Sequence, residues 1–299
     1  MSAAESIRTG NSNFALTESE FPVGRAAQAN NFKVAAIQMA SGPNVAGNLS
    51  EARRLIAKAA EQGARLVVLP EFFAIMGMTD QDKIAVREQP GQGAIQSFLS
   101  ETARQYKIWL VGGSIPLAAS TSDKVKNTCL VFDDQGAQVA SYDKMHLFNL
   151  ELGNESYHEA KTIQPGDQVV VVDSPFGRIG LAICYDLRFP ELFRAMEKVD
   201  IIVLPSAFTE TTGKMHWEVL VRARAIENLA YVIAAAQGGY HINGRETHGN
   251  SMIADPWGRI LDRLPRGSGV VIGDVNPSYQ ASLRNSLPAL THRILFNRA

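Results

Sequence analysis

The chain has 299 residues, 45% of them hydrophobic, and a formal net charge of -1 at pH 7. This is enough apolar material for a large core in one or two domains, and the near-neutral charge argues against a nucleic-acid or acidic-membrane partner. No uninterrupted apolar run approaches the ~18 residues of a membrane span, and two cysteines are too few for a disulfide framework, which points to a reducing, cytoplasmic setting.

Residues 1–31, rich in Ser, Ala, Asn and Glu, contain no apolar run that could form a signal-peptide core. They read as a leader or flexible tail, and the first strand starts at Phe32 and runs through KVAAIQ. An amphipathic helix follows, with Leu49, Ala52, Leu55, Ile56 and Ala59 on one face, Asn48 or Ser50 as its cap and Gly63 at its close. ARLVVLPEFF (Ala64–Phe73) is the next strand. A helix near Ala94–Tyr106, a strand over Ile108–Ser114 and a strand–turn–strand over Asn127–Asp143 complete the first half.

The second half repeats this order. RIGLAIC (Arg178–Cys184) leads through a short helix starting at Pro190 to VDIIVLPSAF (Val199–Phe208). A helix over Trp217–Leu229, a strand over Tyr231–Gly239 and a strand–turn–strand over Gly249–Leu264 follow. LVVLPEFF and IIVLPSAF match in apolar pattern and share the VLP core and the final Phe. The expected fold class is α/β: a four-layer α-β-β-α sandwich with internal pseudo-two-fold duplication. The alternative is a run of βαβ units in a single sheet.

Chemistry is expected where the two copies differ. Cys184 ends a buried strand just before a helix, at the sheet edge where open α/β sheets place ligands. Glu71 follows VLP where the second copy has Ser206, and Lys144 lies just past the strand in SYDKMHLF. Each residue alone has an ordinary explanation: a small buried hydrophobe for the thiol, a cap for the carboxylate, a surface position for the lysine. Together they supply a nucleophile, a base able to take its proton and pass it to a leaving amine, and a cation for the oxyanion. The Tyr185 N–H is a second oxyanion donor in this reading.

VVLPEFF, YDKMHLF and GLAICYDLRFPEL resemble the three signature segments of the nitrilase or carbon–nitrogen hydrolase superfamily, and the resemblance spans 32–299 as one domain. It implies an α-β-β-α sandwich and a Glu-Lys-Cys triad on Glu71, Lys144 and Cys184. It also implies a second glutamate, best matched by Glu159 and less well by Glu155. The second half resembles the branch of deaminated-glutathione amidases. That implies hydrolysis of a small carboxylated amide through a Cys thioester, without cofactor or metal, giving 2-oxoglutarate and cysteinylglycine. A nitrilase acting through the same thioester and a catalytically silent binding or regulatory protein are the competing readings. The chain departs from the branch at Gly249-Asn250-Ser251, where relatives commonly read GHS.

Arg188 is expected to clamp a substrate carboxylate, with a salt bridge to Asp186 or Glu191 as the alternative. Phe208 and Thr209 are placed beside the cysteine, against the alternatives of core packing and helix capping. Trp217, Arg222, Arg224 and Glu227 are given structural or interface work on one helix, and Cys129 a core position. The six histidines show no metal-ligand spacing. Like relatives' tails, segment 276–299 is expected to dock at a subunit interface, in a homodimer or higher homo-oligomer.

Overall fold

The computed structural model describes residues 31–153 and 155–294. Apart from Asn31, the expected leader lies outside the described residues, as does the end of the C-terminal tail.

The first half contains β1 (Phe32–Gln38), α1 (Val45–Glu61), β2 (Ala64–Val68), α2 (Asp82–Ala85), α3 (Ala94–Tyr106), β3 (Trp109–Val111), β4 (Ile115–Ala118), β5 (Val125–Phe132) and β6 (Gln138–Asp143). A hairpin, β7 (Asn149–Leu152) and β8 (Glu155–His158), leads to the second half. There follow β9 (Val171–Ser174), β10 (Gly177–Leu181), α4 (Pro190–Ala195), β11 (Ile201–Ser206), α5 (Glu210–Asn228) and β12 (Tyr231–Ala236). A small hairpin, β13 (Gly238–Tyr240) and β14 (Glu246–His248), precedes β15 (Ser251–Ala254), β16 (Ile260–Leu264), β17 (Gly269–Val275) and α6 (Pro277–Ser286).

Two sheets form rather than one. The first runs β17-β1-β2-β3-β5-β4, with β6 also on β5; the second runs β16-β15-β12-β11-β10-β9. β1, β2 and β3 are parallel and β5 and β6 antiparallel to their neighbours, and β10, β11, β12, β15 and β16 repeat that sense strand for strand. This equivalence supports the duplication read from the sequence.

Alternation along the strands builds the layers. Val34, Ala36, Leu66, Val68, Val111 and Val131 face the second sheet's Ile179, Leu181, Val203 and Ile233 in one core. Ala35, Ile37, Val67 and Leu110 point the other way, onto Ala52, Leu55 and Ile56 of α1 and Phe98 and Leu99 of α3. Phe193 of α4 and Trp217, Val221 and Ala225 of α5 cover the outer face of the second sheet.

Three local expectations change. α1 starts earlier than its apolar face suggests, because Asn44 is the cap and accepts the Gly47 N–H at 3.0 Å. Asn48 is instead buried inside α1, donating to the Gly42 and Ala74 carbonyls at 2.8 and 2.9 Å. The tail segment, in which no helix is expected, begins with one that packs on its own chain. Asn276 and Pro277 start α6, where Gln280 donates to the Asp200 and Leu229 carbonyls and Arg284 pairs with Asp200 at 2.6 Å.

The end of β2 is wedged against Gly112–Ser114. Gly113 has a φ of 57°, and a Cβ there would collide with the Pro70 carbonyl oxygen. Gly113→Ala is therefore expected to destabilise the protein by about 1–3 kcal/mol, read as a lowered midpoint of thermal unfolding. It should also lower activity, since Pro70 directly precedes Glu71.

Candidate active site

The carboxyl ends of β1, β2, β11 and β12 converge, and an isolated bridge between Met39 and Gln237 joins the two sheets there. Just past β2, the Glu71 carbonyl accepts from Gln237 Nε2 at 3.1 Å and the Phe72 N–H donates to Ser114 Oγ at 3.0 Å. Phe72 takes a φ of 51°, in the left-handed region that side chains seldom occupy. Cys184 also has a φ of 51° and begins a 3-10 turn, Cys184–Arg188, beyond β10.

Lys144 follows β6, and its N–H donates to the Asn127 carbonyl at 2.9 Å. Its Nζ donates to Glu71 Oε1 at 2.9 Å and to Glu159 Oε1 and Oε2 at 3.0 and 2.8 Å. The lysine side chain is 0% exposed. Glu71 also accepts from Asn127 Nδ2 at 2.8 Å, and Glu159 from the Phe148 N–H at 2.7 Å. Of the two candidate glutamates, Glu159 is the one brought to Lys144. Glu155 lies elsewhere, accepting from Thr211 Oγ1 at 2.9 Å.

The charges set the resting protonation. Burial works against the Lys144 charge, but Glu159, Glu71 and the Cys184 sulfur outweigh it and hold the ammonium well above its ordinary pKa. Burial and then the Glu71 carboxylate push the Cys184 thiol well above its ordinary value; Lys144 and the Ala207 N–H pull the other way and do not prevail. One cation already stands between two carboxylates, so a thiolate would add negative charge that nothing neutralises.

Asp186 locks the cysteine turn to the lysine segment. Fully buried, it accepts from the Ile183 N–H at 2.8 Å, Tyr142 Oη at 2.7 Å, the His146 N–H at 3.1 Å and His146 Nδ1 at 2.7 Å. Burial and the Asp186 charge raise the Tyr142 pKa, so its hydroxyl stays a donor. From α5, Arg224 Nε and Nη2 donate to the Leu187 carbonyl at 3.0 and 2.7 Å, holding the turn from beneath.

Two spaces open on Cys184. A cavity of about 240 Å³ is lined by Glu71, Glu159, Phe148, Tyr157 and Arg245 among others. A narrow cleft on the other side is lined by Tyr185, Arg188, Phe208 and Thr209, so the expected binding residues come together there. The Arg188 guanidinium lies 5.3 Å from the Phe208 ring centre and 5.7 Å from that of Tyr185, and its Nη1 donates to His216 Nδ1 at 3.2 Å. Among the described residues it pairs with no carboxylate: Asp186 is engaged by Tyr142, Ile183 and His146, and Glu191 does not reach it. Phe208 is buried on Trp217 with ring centres 4.9 Å apart, and Thr209 caps α5, so both also do the structural work weighed as alternatives.

Cys129 is wholly buried, and burial raises its thiol pKa. Asn250 does not line the cavity. It has a φ of 54°, which asparagine tolerates better than most side chains, and its carbonyl accepts from Trp217 Nε1 at 2.7 Å. Among the described residues no group of His, Cys, Asp and Glu could hold a metal ion, and no helix is long and apolar enough to cross a membrane.

Sequence reasoning missed Asn127, Gln237 and the supporting role of Asp186. Signals existed: Asn127 is a polar residue at the head of an apolar strand, and Tyr142 and His146 flank Lys144 in one short segment.

Fold and site together define a cysteine-centred α-β-β-α hydrolase. The family described as Carbon-nitrogen hydrolase matches residues 33–285, and the chain belongs to it. It is 41% identical over 270 residues to a protein named Deaminated glutathione amidase from Synechocystis, covering 88% of this chain and 98% of that one. The crystal structure of the C. elegans NitFhit protein superposes with a TM-score of 0.82 at 36% identity, covering 89% of this chain and 66% of that longer one. Saccharomyces cerevisiae Nit3, a member of branch 10 of the nitrilase superfamily, superposes with a TM-score of 0.79 at 31% identity, covering 87% of this chain and 96% of that one.

The raised thiol pKa has a direct readout. Wild-type protein minus Cys184→Ser should show no ultraviolet thiolate absorbance at neutral pH, and the signal should emerge only in strong alkali. Thiolate absorbance at neutral pH would contradict the charge balance described above.

Proposed function

We propose that the chain hydrolyses a small carboxylated amide of the deaminated-glutathione or omega-amide type. The observation that carries this reading is a buried thiol facing a fixed carboxylate and ammonium, with the Arg188 guanidinium in the cleft beside it. As Cys184 Sγ attacks the amide carbon, Glu71 takes its proton. Protonation loosens the hold of Glu71 on Lys144, whose Nζ is then free to turn toward the developing oxyanion. The Tyr185 N–H is the second donor. Collapse breaks the C–N bond, Glu71 gives its proton to the leaving amine, and a thioester remains. Water then attacks the thioester with Glu71 again as base, releasing the acid and restoring the thiol. Glu159 keeps Lys144 in place while Glu71 changes charge.

Arg188 takes the acyl-side carboxylate, and the Phe208 and Tyr185 rings hold its guanidinium flat. The names of the relatives favour an amide over a nitrile. A cytoplasmic location and a homodimer or higher homo-oligomer complete the reading. The dimer is supported by an exposed apolar stripe on α5, where Met215 and Val219 are 69% and 67% exposed, with Ile226 and Trp257 adjoining.

Cys184→Ala is expected to abolish turnover of 2-oxoglutaramate, and brief acid quenching of wild type should give an intact mass increased by the acyl group. Full turnover by the alanine variant would refute the mechanism, and faster turnover of nitriles than amides would favour the nitrilase reading. Arg188→Ala should raise KM for carboxylated amides by roughly tenfold or more and spare neutral ones. Equal losses on both would remove the clamp.

A further inference from the structure

The two carboxylate oxygens of Glu71 are not equivalent. Lys144 Nζ and Asn127 Nδ2 both donate to Oε1, at 2.9 and 2.8 Å. A carboxylate oxygen offers two lone pairs, so these two donors fill it. Among the described residues no nitrogen or hydroxyl donates to Oε2. The Cys184 thiol is hydrogen-bonded to the same carboxylate, and both groups line the cavity. Oε2 is the oxygen left to the thiol.

Asn127 is a destabilising choice for a position that only had to fill space. It is 0% exposed in β5, and its Oδ1 is buried without a hydrogen-bond partner. A buried acceptor with no partner weakens the fold, and leucine, of nearly the same shape, would remove that defect. Nor can the amide turn over, because exchanging Oδ1 for Nδ2 would set an acceptor against Glu71 Oε1. Among the described residues the Asn127 side chain hydrogen-bonds Glu71 alone. Its main-chain carbonyl accepts the Lys144 N–H at 2.9 Å, so one residue touches both the base and the segment that carries the cation.

The bond matters most in mid-reaction. In the mechanism above, Lys144 turns toward the oxyanion once Glu71 is protonated, and Glu71 then keeps one of its two donors. A carboxyl group held at Oε1 by the Asn127 amide cannot rotate away from the reacting atoms.

We propose that Asn127 is a positioning residue, whose amide pins Glu71 Oε1 so that Oε2 takes the thiol proton and returns it to the leaving amine. The sulfur keeps its electron pair and forms the new bond to carbon, while the proton crosses to Oε2 and departs on the amine nitrogen. The second half of this sequence rests on the amidase reading; the first proton transfer does not.

The test therefore uses two reactions of the full chain. Iodoacetamide alkylates Cys184 by the same opening step, the sulfur displacing iodide while Glu71 takes the proton, and needs no amide substrate. Asn127→Leu should slow this alkylation, and lower kcat on 2-oxoglutaramate, by roughly ten- to a hundredfold. KM should stay within twofold, and the thermal midpoint near that of wild type or above it. Asn127→Ser, smaller and with its hydroxyl set back from Glu71, should show a loss of the same kind, and it carries the test if the leucine variant does not fold. Alkylation and turnover within twofold of wild type overturn the proposal and leave the amidase reading standing. A KM that rises as far as kcat falls, or a loss that tracks the unfolded fraction, makes Asn127 a structural residue and also overturns it. If wild type turns over no amide while Asn127→Leu still slows alkylation, the amidase reading fails and the positioning role stands.

Discussion

An ammonium group with no access to water governs this molecule. Removing a charge from solvent costs several kcal/mol, and the cost is offset only when partners satisfy the ion in good geometry. Lys144 meets that condition with three contacts from two carboxylates, Glu71 after β2 and Glu159 after the β7–β8 hairpin. The same arrangement decides the state of the sulfur. With the cation already committed, the thiol stays protonated, and in the proposed mechanism the base acts at the moment of attack rather than in advance.

Holding that geometry requires both sheets. Glu71 comes from the first sheet and Cys184 from the second, and the residues that fix them cross between the two. Gln237, beyond β12, reaches the Glu71 carbonyl, and Asp186, in the cysteine turn, gathers Tyr142 and His146 on either side of Lys144. Removal of Asp186 would leave buried donors from two segments without an acceptor. Strained backbone at Phe72 and Cys184 is tolerated because packing and hydrogen bonds on both sides over-determine it.

Much of this was legible in the sequence because it rests on local pattern. The shared pattern of LVVLPEFF and IIVLPSAF pointed to paired halves, the Glu71/Ser206 difference within it pointed to Glu71, and the end of a separate apolar strand pointed to Cys184. The apolar face of α1 was readable, yet its start was not: Asn44, Asn48 and Ser50 are all good caps by chemistry, and tertiary burial decides that Asn48 belongs inside. What remained hidden depends on partners distant in the chain. Nothing near Asn127 says that its amide will meet Glu71, and nothing near Arg188 says that Asp186 will be taken by a tyrosine and a histidine from the other half. α6 was missed because its apolar periodicity is weak, although Asn276-Pro277 is a helix start in itself.

The placement of β17 bears on how the chain reaches its native state. This late strand does not extend the sheet of its own half; it lies antiparallel on β1, with Phe32 opposite Val275 and Gln38 opposite Gly269. During synthesis the first sheet therefore waits with an unpaired edge until nearly the whole polypeptide has emerged, so the two halves cannot mature one after the other. Closure over so long a sequence separation makes for slow, cooperative folding, and any product cut short before Gly269 keeps an open β1 edge able to recruit a neighbouring chain.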